Sequence, residues 1–140
     1  MYQSKVRVVG LLLASALLAG GCSDDPAPIA PPTPVPIVTE EVTGTLNPFS
    51  ARVHAFTTSN AGTVSVTLTG LDPDTTVVGL LIGTLNGVVC QSAVSTESAV
   101  NLGTLNALGS GAARLCARIY DSSENGLPAP VPYTLTISHY

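Results

Sequence analysis

Thr63-Val64-Ser65-Val66-Thr67-Leu68-Thr69 carries the clearest structural signal in this chain. Apolar and hydroxylic residues alternate without a break. An extended chain therefore puts Val64, Val66 and Leu68 on one face and the hydroxyls on the other, the pattern of a half-buried antiparallel strand. The same period appears in Tyr133–His139, where Tyr133, Leu135 and Ile137 point inward, and in Ala113–Tyr120, where Ala113, Leu115, Ala117 and Ile119 do.

Working outward, Val42–Leu46 and Val53–Thr57 read as shorter strands parted by a turn at Asn47-Pro48. Val77–Leu85 is almost wholly apolar and is expected to cross the core, with Gly79 and Gly83 marking bulges or close packing. Asn86-Gly87 predicts a type I′ hairpin into Val88–Cys90. Ala99–Leu105 completes the set. About eight short strands, punctuated by Gly and Pro and lacking any helical period, predict an all-β antiparallel sandwich or jelly roll over residues 37–140. Gly-Thr-Leu-Asn recurs at Gly44, Gly83 and Gly103, with unequal spacing and unrelated flanks. Shared chemistry where a strand runs into a turn explains it better than a repeat architecture.

The N-terminal segment is of another kind. Lys5 and Arg7 precede an apolar run from Val8 to Ala19, then Gly20-Gly21 and Cys22. This order is that of a secretory signal, and small residues ending at a cysteine resemble the lipobox of bacterial lipoproteins. The resemblance implies cleavage before Cys22, acylation of that residue, and a signal peptide over residues 1–21. The apolar run would cover only about 20 Å, short of the ~30 Å hydrocarbon core, so a permanent membrane helix is the weaker reading. Residues 22–36 then hold six prolines, which exclude helix and central strand and predict an extended spacer of roughly 40 Å. Ser23, not aspartate, follows Cys22, which by analogy with sorting in diderm bacteria points to the outer membrane.

The part beyond residue 21 has no lysine, three arginines and all nine acidic residues, a formal charge of −6. That argues against nucleic acid as a partner and leaves the lipid anchor as the membrane attachment. With Cys22 set aside, Cys90 and Cys116 remain; an even pair in an exported chain reads as one disulfide. Cys116 falls on the face of its strand opposite Leu115 and Ala117, so the bridge is expected on an outer or edge surface.

The order Val42-Thr-Gly-Thr-Leu46, His54-Ala-Phe56-Thr57, Gly62–Leu68, Arg118-Ile-Tyr-Asp121 and Tyr133–Ile137 resembles the bacterial pre-peptidase C-terminal type of β-sandwich, over about residues 39–140. That family occurs appended to secreted hydrolases and also alone. The chain departs from it at Val77–Ile82, apolar where the family carries Asp-x-Asp, so no inherited metal site is implied.

Chemistry-bearing residues are sparse. His54 and His139 lie within strands and read as surface or edge residues, and Ser110, in Gly109-Ser110-Gly111, reads as a hairpin tip. Asp72-Pro73-Asp74 is weakly a calcium loop and more readily a type I turn; Asp121, Glu124 and Asn125 form a second acidic loop without a ligand ladder. Arg114 and Arg118, on one strand face, with Tyr120, are candidates for a ligand carboxylate or a glycan. No cofactor motif is present. The expectation is a lipid-anchored envelope protein presenting a non-catalytic sandwich to an envelope protein or glycan. The alternative is a small envelope hydrolase or an enzyme inhibitor.

Overall fold

The computed structural model describes residues 30–140. The signal segment and Cys22 lie outside the described residues. Ala30 to Ile37 run exposed and without regular structure, and Thr33–Tyr140 forms one compact unit. Eight strands follow: β1 (Val38–Leu46), β2 (Ala51–Thr58), β3 (Ala61–Leu71), β4 (Val78–Asn86), β5 (Val89–Ala99), β6 (Thr104–Ser110), β7 (Ala113–Tyr120) and β8 (Val131–His139). They form two antiparallel four-stranded sheets, ordered β1-β8-β3-β6 and β2-β7-β4-β5. The all-β sandwich expected from the alternation is what the chain adopts.

β3 lies between β8 and β6, and Val64, Val66 and Leu68 face the core. A bulge between Leu68 and Gly70 resets the phase, so that Leu71 also turns inward. β8 delivers Val131, Tyr133, Leu135 and Ile137 to the same core. From the second sheet come Leu80 and Ile82 of β4, Ala117 and Ile119 of β7, and Phe56 of β2. The two inner faces meet as the period-two pattern requires.

β4 is buried on both sides from Val78 to Gly83, which explains its unbroken apolar run. Its outer face is closed at two glycines. Tyr120, the cross-strand partner of Gly79, lays its ring where a Cβ at Gly79 would stand. At Gly83, β5 curls over β4 so closely that a Cβ would collide with the Gln91 carbonyl. This crossing lets Cys90 of β5 reach Cys116 of β7 although β4 lies between them in the sheet. Their Cα atoms are 5.9 Å apart, far less than two strand spacings of about 4.8 Å each. The disulfide is therefore present, and on the outer side of the second sheet, but Cys116 is fully buried beneath it.

Several local readings are corrected. Ala99–Leu105 is not one strand: residues 100–103 connect β5 to β6, with Leu102 at φ 66° and Gly103 N–H donating to the Val100 carbonyl at 2.8 Å. β5 instead extends through polar Gln91–Ser98, and β6 begins at Thr104. Gly103-Thr-Leu-Asn accordingly opens a strand, whereas the Gly44 and Gly83 copies close one. The β4–β5 loop is Gly87-Val88, with positive φ at Gly87 alone, which excludes type I′ and fits type II′. Ser110 ends β6, and the chain then crosses to the other sheet, so it is not a hairpin tip.

The 26-residue separation of the bridged cysteines gives about 3 kcal/mol of stabilisation by the loop-entropy argument. Reduction should add two hydrogens to the intact mass and lower the thermal midpoint by about 10–15 °C. Gly83→Ala should lower it even in the reduced protein, because the clash is with backbone. Calorimetry with and without reductant checks both.

Candidate functional site

The residues singled out for binding lie on the outer face of the second sheet. β7 places Arg114, Cys116, Arg118 and Tyr120 there by alternation. Tyr120 is fixed between Gly79 and the edge strand, its hydroxyl donating to the Thr96 carbonyl at 3.4 Å. Burial raises the phenol pKa and Glu97 adds to the rise, while Arg118 opposes it. The Arg118 guanidinium stands 5.3 Å from the ring centroid, a cation–π contact that leaves N–H groups for an external carboxylate. Arg118 and Tyr120 therefore form one site. Arg114 does not join it: four residues along a strand is about 13 Å, too far for one small ligand. The Tyr120 ring lies against β4 and in contact with Arg118, so it offers no open platform for stacking a sugar.

A second group of polar residues lines the inner side of the β1–β2 seam. On β2, His54 shares its face with Phe56; on β8, His139 continues the inward row of Tyr133, Leu135 and Ile137. His54 Nε2 lies 2.7 Å from the Tyr133 hydroxyl, with the rings edge to face at 5.8 Å. Tyr133 in turn reaches over its cross-strand partner Gly44. Burial lowers the His54 pKa, and nearby Arg52 lowers it further; burial raises that of Tyr133. The imidazole is thus held neutral, as a partner for a phenol. His139 is 3% exposed, its Nε2 is 3.1 Å from Glu40 Oε1, and its ring tilts against Phe56 at 5.3 Å. The expectation of surface or edge positions holds for His54, which lies on the edge strand β2, and is corrected for His139. His139 is core and His54 half-buried, because each is in phase with an inward apolar row.

Asp121, read from sequence only as part of an acidic loop, is the most heavily bonded side chain described. Its Oδ2 accepts the N–H groups of Phe49 at 2.7 Å and Leu127 at 2.8 Å. Its Oδ1 accepts the Ser123 hydroxyl at 2.6 Å and the Ser123 N–H at 3.0 Å. The carboxylate so ties the β1–β2 turn, where Phe49 has φ 57°, to the β7–β8 loop. Burial pushes its pKa up, but the four donors outweigh that and hold it at about 2. With both oxygens engaged it is a loop brace, and Glu124 and Asn125 project away as exposed neighbours.

Asp72 and Asp74 are both exposed in the β3–β4 connection. The turn there runs Pro73–Thr76, closed by Thr76 N–H to the Pro73 carbonyl at 3.0 Å, with a cis Asp72-Pro73 bond. The expected turn is present and is opened by Pro73, one residue later than Asp72. Among the described residues no three of His, Cys, Asp and Glu converge on a metal-sized site. No known family model matches the chain, and no curated protein matches it closely enough to count as a relative.

The Asp121 carboxyl has its pKa lowered from 3.8 to about 2 on folding, so its stabilisation is complete above the higher value and lost as pH falls toward the lower. Asp121→Asn should cost about 1–2 kcal/mol at neutral pH, allowing for its partial solvent exposure. The gap between mutant and wild type should close as pH falls from 3.8 to about 2. Denaturant melts across that pH range measure it.

Proposed function

We propose that this chain is a lipid-anchored cell-envelope protein whose sandwich is a non-catalytic binding or structural module. Cys22 is the acylated anchor, residues 22–36 the spacer, and residues 37–140 the presented domain, of pre-peptidase C-terminal-like type. The observation that carries the non-catalytic reading is the employment of the ionisable groups. His54 is bonded to Tyr133, His139 to Glu40, and Asp121 to four donors, each holding one part of the fold to another. A general base needs a free lone pair facing a substrate; Asp121 and the Nε2 atoms of both histidines are engaged within the fold, and the unpartnered Nδ1 of His139 is enclosed away from solvent.

The presented surface supports the same reading. The outer face of the first sheet is a hydroxyl lattice, with Thr67 bonded to Thr104 at 2.9 Å and Thr69 to Thr136 at 3.0 Å. The second sheet offers, besides Arg114, an Arg118 packed on Tyr120, suited to a carboxylate of an envelope protein or an acidic glycan. Ser23 behind the anchor favours the outer membrane as destination.

Cys22→Ala should leave a longer precursor that does not incorporate labelled palmitate, whereas inhibition of the lipoprotein signal peptidase should leave the longer precursor. Processing and labelling unchanged in Cys22→Ala would refute the anchor. Hydrolysis of an envelope substrate that disappears in His54→Ala, with the fold intact, would refute the non-catalytic reading.

A further inference from the structure

The sandwich has four edge strands and treats one unlike the others. β1 carries Glu40 and Glu41, β2 carries Arg52 and His54, and β5 carries Glu97 and two bulges against β4. Charges and bulges are the devices by which sheets keep edges from pairing with other chains. β6, Thr104-Leu-Asn-Ala-Leu-Gly-Ser110, has neither, has no proline, and keeps an unbroken register with β3 along its whole length. Its other side pairs with no strand among the described residues.

The core is also incompletely covered beside β6. Leu105 and Ala107 are only half-buried. Clefts of about 320 Å³, against Leu80 and Ala99, and about 140 Å³, against Val64 and Ile82, open along this strand. Leu108 is 88% exposed and Leu102, just before the strand, 72%. The opposite seam is bridged by His54–Tyr133 and by His139 against Phe56.

We propose that β6 is a self-recognition edge, on which two copies of this chain pair β6 against β6 antiparallel and join their first sheets into one of eight strands. A second copy fits because the strand is self-complementary. About a two-fold axis at Ala107, Asn106 faces Leu108, Thr104 faces Ser110 and Leu105 faces Gly109, with no charge opposed to its like. The same operation on β1 would gather four carboxylates. Main-chain hydrogen bonds supply the affinity, and Leu108 gains cover from the partner's Asn106. Seven residues a side is a small interface, so the pairing is weak and concentration-dependent. The inference stands whether or not the chain is lipid-anchored.

Sedimentation equilibrium of the purified protein over roughly 0.01–1 mM should show a monomer–dimer equilibrium, the range expected of so small an interface. Asn106→Lys with Leu108→Lys opposes lysines across the axis and should weaken association tenfold or more. Both side chains stand on the exposed outer face, so the monomer's unfolding midpoint should not change. Asn106→Lys with Leu108→Glu places opposite charges across the same axis and should recover association. A wild-type chain that stays monomeric, a dilysine variant that associates as well as wild type, or a Lys/Glu variant that does not recover would each overturn the proposal.

Discussion

The two sheets are one molecule because the inner faces of β3 and β8 close on those of β4 and β7. Val64, Val66, Leu68, Leu135 and Ile137 on one side, and Leu80, Ile82, Ala117 and Ile119 on the other, are each at most 1% exposed. Everything else is arranged around that contact. The outer faces are free to be hydroxylic or charged because burial inside supplies the hydrophobic stabilisation. The ionisable residues brace the periphery: Asp121 fastens two connections, and the histidines close one seam.

Close approach recurs as a construction method. Tyr133 covers Gly44 and Tyr120 covers Gly79, each pair directly opposed across neighbouring strands. Such pairs give a glycine-weakened strand the packing its own side chain cannot provide. At Gly83 the covering group is the backbone of β5 itself, and the disulfide then clamps that strand to β7. Tyr120 and Tyr133 thus place their rings where they complete a sheet.

Sequence reading succeeded where a strand has one wet and one dry face. β3, β7 and β8 show clean alternation, and β7 was legible to the residue. It failed at β5 and β6. These edge strands pair on one side only, so Gln91–Ser98 carries no buried row to betray it, and the bulges in β5 break the phase further. The apolar cluster Ala99, Val100, Leu102 and Leu105 imitates a strand but surrounds a tight connection. His139 was legible and overlooked: it continues the odd-numbered inward row of β8, and its chemical type obscured its position. The cysteine pairing followed from counting, whereas the curl of β5 that makes it geometrically possible depends on Gly83 and has no one-dimensional signature. The bonding of Asp121 joins residues 72 positions apart, beyond the reach of any local pattern.

The strand order has a consequence for how the chain is made. Apart from the β4–β5 hairpin, every strand hands the chain to the opposite sheet, and β1 pairs only with β8. A polypeptide emerging N-terminus first, from a ribosome or through a membrane pore, cannot seat its opening strand until its final one has arrived. Long-range closure of this kind is slow and leaves early strands unpaired meanwhile. It also makes completeness a condition of assembly. A product cut short before Val131 loses a central strand of the first sheet, strands β1 without a partner, and presents itself to proteases as unfinished.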